Sequence, residues 1–209
     1  MNARADKRSE PVKLSFVAYH RKRLSIWADQ LRVRRDRRRL LRSMPRDADC
    51  AEIGVWKGDG TTAILRHTRP RTLVLVDPWE SQESLEKARY GKADESAMDE
   101  TYASVLKRFD TEIAEGRVSV RRARSDQVWG EFGDGALDWV WLDGDHTYEA
   151  VTRDLTALAR IVKPGGYIIG DDYTYGWWRD GVIRAVDEFV ASGNGTLEII
   201  GGIFFRIRL

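Results

Sequence analysis

The chain has 209 residues, enough for one domain with a real core and too few for two full ones. Hydrophobic residues at 42% and charged residues at 33% exclude a disordered or fibrous chain. No apolar run approaches the ~18 residues of a membrane span and no signal-peptide core opens the sequence, so a cytoplasmic protein is expected. The formal charge of +2 conceals a segregation, because the first 46 residues carry fifteen Lys/Arg against four Asp/Glu and leave the remainder acidic.

Residues 1–46 read as a basic helical extension and residues 47–209 as the domain. "YHRKRLSIWADQLRVRRDRRRLLRSMP" sets Leu24, Trp27, Leu31, Leu40 and Leu41 among arginines at the spacing of one apolar helical stripe, ending near Pro45. Such a stripe docks on the domain or on a second copy, which makes a homodimer the expected assembly. The arginines offer a second reading, an anionic partner such as RNA or a lipid surface, although the stretch lacks aromatic interleaving of an RNA-stacking kind. After Asp47, short apolar runs alternate with amphipathic stretches, which predicts an α/β fold on a mostly parallel, doubly wound sheet. Strands are predicted at Asp49 to Gly54, Thr72 to Asp77, Val118 to Arg122, Leu137 to Asp143 and Gly166 to Asp171, with helices between them and another over Asp180 to Ala191. "TLEIIGGIFFRIRL" splits two apolar runs at Gly201-Gly202 and predicts a closing hairpin, which brings the sheet to seven strands. Cys50, the one cysteine, excludes an internal disulfide and a thiolate metal cluster, and reads as a small apolar residue of the first strand. Pro78 to Tyr102 is long and polar for a tight connection and is expected to form a partly helical lid.

"CAEIGVWKGDGTT" leads a strand through glycines into a helix, where Gly54, Gly58 and Gly60 suit a sharp turn and close approach of a ligand. Its pattern, E-x-G-x-x-x-G-x-G, is neither the dinucleotide fingerprint nor a P-loop. Asp77 ends the second strand, where a doubly wound fold places the carboxylate that receives ribose hydroxyls, so a nucleoside without a diphosphate fits best. At this point the chain resembles the class I S-adenosylmethionine-dependent methyltransferases, over roughly Ala48 to Leu209. The resemblance implies a Rossmann-like sheet with a C-terminal hairpin and S-adenosyl-L-methionine as cofactor. It places Gly54 and its neighbours Gly58, Gly60 and Thr61 at the methionine moiety, with Glu52 supporting the loop and Asp77 holding the ribose. "ARSDQ" resembles the adenine-contacting segment, making Ser125 and Asp126 candidates, although Ser or Asp before a helix is also an ordinary N-cap.

Asp143 ends the fourth strand and Asp171-Asp172 the fifth, so in the expected strand order the three converge beside the cofactor, which Asp143 also borders. Packed carboxylates repel and raise one another's proton affinity unless a cation neutralises them, and hard oxygen ligands favour Mg²⁺, with Mn²⁺ or Ca²⁺ possible. Asp145 is expected to cap the following helix. The trio resembles that of the metal-dependent small-molecule O-methyltransferases. "LDGDHTY" and "KPGGYIIGDDY" are closer still to a subgroup with macrolide-sugar O-methyltransferases and a cephalosporin-biosynthesis protein. In those sugar-modifying relatives a histidine at the position of His146 is the proposed general base; a satisfied histidine at a helix start is the alternative. The resemblance implies transfer of a methyl group to one hydroxyl of a vicinal diol, a glycosyl group or a catechol. Trp139 and Trp141 alternate along strand four as core residues, whereas Trp79 and Trp177-Trp178 fall on site loops and could pack an acceptor ring. Two rival readings are an RNA methyltransferase that grips phosphates with the arginine-rich helix, and a non-catalytic cofactor-binding scaffold.

Overall fold

Runs of Val, Leu, Ile and Trp with no alternating polar face require a strand covered on both sides, and that is where the fold puts them. The computed structural model describes residues 16–80, 94–174, 176 and 180–209, with 16–28 given as backbone. The chain divides into two units, residues 1–35 and 36–209. In the first, the described residues are helical, and Asp29 and Arg32 lie 4.0 Å apart as an exposed pair of little energetic weight. The helix they belong to, α1 (Phe16–Arg42), ends within the second unit, where Asp36, Leu40, Leu41 and then Met44 are buried at the spacing of one helical face.

The second unit is a seven-stranded sheet. Its elements are β1 (Asp49–Ile53), α2 (Asp59–Thr68), β2 (Thr72–Asp77), α3 (Glu95–Arg108), α4 (Asp110–Ala114), β3 (Val118–Arg122), α5 (Ser125–Val128), β4 (Leu137–Leu142), α6 (Tyr148–Ile161), β5 (Val162–Gly170), α7 (Gly181–Ala191), β6 (Thr196–Ile200) and β7 (Phe204–Arg208). The strand order is β3-β2-β1-β4-β5-β7-β6, with β1 to β5 parallel and β7 antiparallel to both β5 and β6. This is the expected fold, a Rossmann-like sheet closed by a C-terminal hairpin. Trp139, Val140, Trp141 and Leu142 of the central β4 are all buried, as are the inward faces of α6 and α7. Cys50 is buried as expected, its thiol donating to the Thr72 carbonyl at 3.4 Å.

One strand boundary differs from the pattern in the sequence. β5 starts at Val162, directly after α6, rather than at Gly166; Leu137 pairs with Val162 and Trp139 with Tyr167, so the Lys163-Pro164-Gly165 stretch bulges out of register. The cause is that α6 runs into the strand without a loop, and proline cannot donate to the ladder. The segment expected as a lid is described only at its ends, where residues 78–80 form no regular element, Trp79 takes a left-handed φ of +43°, and Asp94 caps α3 by accepting from the Ala97 amide. Residues 81–93 and Trp177-Trp178 lie outside the described residues. Among the described residues, no helix is long and apolar enough to cross a membrane.

Candidate functional site

Neighbours β1 and β4 belong to the two halves of the sheet that the chain winds in opposite directions, and a cleft opens beyond their carboxyl ends. Gly54, Asp77, Trp79, Ser125, Asp143 and His146 are among its walls.

The glycines answer first to packing within the protein. Gly54 has φ +85°, its amide donates to the Val76 carbonyl at 2.9 Å, and a Cβ there would lie 1.8 Å from the Asp143 carbonyl oxygen. The turn after β1 thus passes against the end of β4 with no room for a side chain. Gly54→Ala is expected to lower stability by about 2 kcal/mol, from left-handed strain plus a backbone clash; chemical denaturation checks it, and an unchanged midpoint would count against the turn geometry. Gly58 faces the Phe109 ring and Gly60 faces the Glu52 carboxyl, where a Cβ would approach to 2.5 and 2.3 Å. Of the three, only Gly54 borders the cleft.

Glu52, 1% exposed, points from β1 under α2, where the Thr61 hydroxyl donates to its Oε2 at 2.5 Å. Burial pushes its proton affinity up to about 8, the Thr61 hydrogen bond opposing that and Asp143 adding to it. Glu52 and Thr61 therefore act beneath the loop rather than in the cleft. Asp77 lies in the cleft wall, yet its Oδ2 accepts the Val55 and Trp56 amides, both at 2.9 Å, and its Oδ1 the Trp79 amide at 2.8 Å. Burial raises its proton affinity and these three donors oppose the rise. The carboxylate fastens the β1 and β2 loops together and retains acceptor capacity for one further donor. Trp79 packs on Tyr102 of α3 with ring centroids 4.9 Å apart and only 2% of its surface exposed. It docks the segment that follows β2 rather than presenting an open face to an acceptor.

At the other end of the cleft, the Ser125 hydroxyl donates to Asp154 at 2.7 Å, and the Trp129 indole donates to the same oxygen at 2.9 Å. Asp154, a buried acid on α6, is a residue that the sequence pattern gave no reason to single out. Asp126 turns to Arg124 and Arg153, with N–O distances of 3.3 and 3.7 Å. Those arginines, not Asp126, border the cleft. Neither Ser125 nor Asp126 caps α5 with its own side chain, since both lie inside that helix.

Near the mouth, donor atoms of Asp143, His146 and Asp171 lie within 4.8 Å of one another. His146 Nε2 is 3.6 Å from Asp143 Oδ1, 3.9 Å from Asp171 Oδ1 and 3.6 Å from Asp172 Oδ2, so an imidazole stands among the three predicted carboxylates. Burial alone would lower its proton affinity, but the Asp143 hydrogen bond and the charges of Asp143, Asp172 and Asp145 outweigh that and raise it. Asp145 accepts the Thr147 amide at 2.9 Å, and Thr147, not Asp145 as expected, is the N-cap of α6: its side chain has the reach to the Ala150 amide. The Trp141 indole donates to Asp143 Oδ2 at 3.4 Å, and Asp172 takes the left-handed φ of +54°. From α1, Arg37 donates to Asp171 Oδ2 at 3.4 Å while its guanidinium lies over the Trp141 and Phe204 rings at 5.6 and 5.8 Å. Asp171 has its proton affinity raised by burial and by the Asp143 and Asp172 charges, with Arg37 opposing them. Its buried Oδ1 accepts no hydrogen bond from the described residues. An orphaned carboxylate oxygen amid further hard oxygen donors fits a divalent cation.

Comparison with known proteins agrees with this architecture. Residues 51–173 match the family described as "Methyltransferase domain". A 56-residue stretch is 39% identical to the uncharacterized protein R132 of Acanthamoeba polyphaga mimivirus, covering 27% of this chain and about a quarter (25%) of that protein's length. Among solved structures, a Corynebacterium glutamicum protein superposes with a TM-score of 0.56 at 13% identity, over 95% of this chain and 91% of the other. A SAM dependent methyltransferase from Aquifex aeolicus gives 0.52 at 13% identity, over 80% and 84%. At these identities the two structures speak for the fold.

Proposed function

The chain belongs to the methyltransferase-domain family, and from that premise we propose that it is a metal-dependent O-methyltransferase for a vicinal-diol small molecule, a glycosyl group or a catechol. The observation that carries this reading is the convergence of Asp143, His146 and Asp171 at the cleft mouth, with a buried Asp171 oxygen that has no donor among the described residues. S-adenosyl-L-methionine, the cofactor named for the Aquifex aeolicus protein of the same fold, supplies an electrophilic methyl on a sulfonium that leaves as a neutral thioether, so the protein need provide no acid. Mg²⁺ bound at the mouth supplies positive charge that lowers the proton affinity of a nearby hydroxyl.

Asp143, Asp171 and Asp172 would hold the cation, and His146 Nε2 would accept the acceptor's proton. Trp141 and Arg37 fix the orientation of Asp143 and Asp171 through their hydrogen bonds. Gly54 and Asp77 would shape the cofactor end, with Glu52, Gly58, Gly60 and Thr61 supporting the loop. Ser125 and Asp126 would act at the adenine end, Asp126 through the two arginines it holds. A cytoplasmic homodimer goes with this reading.

The test is calorimetric titration of S-adenosylmethionine and of Mg²⁺ into metal-stripped protein and into an Asp171→Asn, Asp172→Asn variant. Cofactor binding by both proteins, with Mg²⁺ heat lost only in the variant, supports the proposal. Cofactor binding with no Mg²⁺ site in either protein would remove the metal from the mechanism, and absence of cofactor binding would end the reading altogether.

A further inference from the structure

Far from the cleft, at the opposite end of α2, five arginines converge. Arg38 and Arg42 stand one turn apart near the end of α1, Arg46 follows in the turn beyond it, and Arg66 and Arg69 flank His67 at the end of α2. These six residues line a recess of about 300 Å³. None of them borders the catalytic cleft. α2 spans about 15 Å; the loop that leads into it borders that cleft at Gly54 and Trp56, while its end borders this recess.

The five guanidinium groups are without an ion pair or a side-chain hydrogen bond among the described residues. Of the acids beside the recess, Asp49 at the start of β1 is committed to Arg71 and to the Thr72 hydroxyl, and Asp47, whose amide donates to the Arg69 carbonyl at 3.2 Å, offsets one of the five charges at most. The ends of α1 and α2 offer some negative potential, but a helix terminus carries only about half an elementary charge. Two such ends leave most of five full positive charges uncompensated. The local field is visible on His67, whose proton affinity is lowered by burial and then by Arg66, Arg42 and Arg38.

We propose that this recess is a binding site for an oligophosphate, two or more adjacent phosphate groups held by the five arginines. The forked guanidinium suits phosphate oxygens better than a single carboxylate, and convergence from three segments suits several anionic groups at once. Among the described residues, His67 is the one ring in an otherwise all-arginine lining, and no aliphatic side chain is there to hold a hydrocarbon. Recognition rests on charge and phosphate geometry. The same chemistry is presented by a free oligophosphate and by consecutive phosphates of a nucleic-acid backbone.

The experiment uses the full chain with two probes, tripolyphosphate and a single-stranded oligouridylate, titrated calorimetrically at low and at physiological salt. The variants are Arg42→Gln, Arg66→Gln, Arg69→Gln together, and as a control Arg117→Gln, Arg121→Gln at the β3 edge. At least one probe should bind the wild type and the control alike and bind the triple variant at least about tenfold more weakly, with S-adenosylmethionine titration unchanged. Loss of oligouridylate binding together with a steep salt dependence assigns the site to a nucleic-acid backbone. Tripolyphosphate binding as tight as that of the RNA assigns it to a free oligophosphate. Binding of both probes undiminished in the triple variant, or no binding by the wild type, overturns the proposal. A second measurement needs no variant: tripolyphosphate should protect Arg42, Arg66 and Arg69 of the wild type from phenylglyoxal while Arg117 reacts. Uniform modification with and without tripolyphosphate would overturn it equally.

Discussion

Replacing His146 by glutamine is expected to lower kcat by about 10³-fold, with Mg²⁺ affinity equal to that of the wild type or higher. Nε2 lies 3.6 to 3.9 Å from an oxygen of each of Asp143, Asp171 and Asp172; burial works against a charged ring, but the Asp143 hydrogen bond and the Asp143, Asp172 and Asp145 charges outweigh it and hold a proton there more firmly than usual. When the ring is protonated, its positive charge joins that of the Arg37 guanidinium among the carboxylates. Mg²⁺ must enter against that positive charge, whereas glutamine carries none. The variant therefore loses the proton acceptor for the diol hydroxyl without losing a carboxylate. The measurement pairs single-turnover rates, on whichever vicinal diol a wild-type screen identifies, with Mg²⁺ calorimetry on the same preparation. A fall in Mg²⁺ affinity of more than about tenfold would make His146 a ligand instead of a base. An unchanged rate would deny it either role.

The acidic mouth was legible in the sequence because parallel strands bring their carboxyl ends together, so acids at the ends of β4 and β5 had to meet. What the strand pattern could not convey was that His146, on the loop beyond β4, would point back among them. Arg37 was invisible for a different reason. In a helix with so many arginines, a single cation that turns inward over Trp141 and Phe204 looks like its solvated neighbours. The only hint lies in Asp36, Leu40, Leu41 and Met44, a buried stripe beside which Arg37 falls. Asp154 was hidden because an acid inside an amphipathic helix reads as its polar face, yet the Ser125 hydroxyl and the Trp129 indole draw it inward. Gly54 and Gly58 take the left-handed conformation of a sharp turn, whereas Gly60 does not, and each of the three leaves room for a contact within the protein. Gly58 leaves room for Phe109, about fifty residues away, and no local pattern announces such a contact. Likewise the bulge at Pro164 depends on α6 meeting β5 with no intervening loop, a matter of tertiary register.

The Glu52→Gln variant is expected to be about 2 kcal/mol more stable than the wild type at pH 8.5 and no more stable at pH 5. The sign follows from which state binds the proton more tightly. In the unfolded chain Glu52 titrates near its ordinary 4.5, while in the folded protein burial pushes it up to about 8. Below the lower value both states are protonated and the group contributes no pH dependence. Between the two values the unfolded chain gives up its proton and the folded one keeps it, so folding becomes less favourable as pH rises. Above 8 both are ionised and the full destabilisation remains. The shift corresponds to about 5 kcal/mol, of which the glutamine amide forfeits part, because its N–H₂ must lie where Oε1 faces Gly60. Its carbonyl keeps the Thr61 hydrogen bond. Asp77, Asp154 and Asp171 also have raised proton affinities and tilt the wild-type profile the same way, so the diagnostic quantity is the difference between the two proteins. Urea unfolding at both pH values measures it. Parallel profiles would mean that Glu52 is ionised in the folded protein at neutral pH, with a counter-charge beneath the glycine loop.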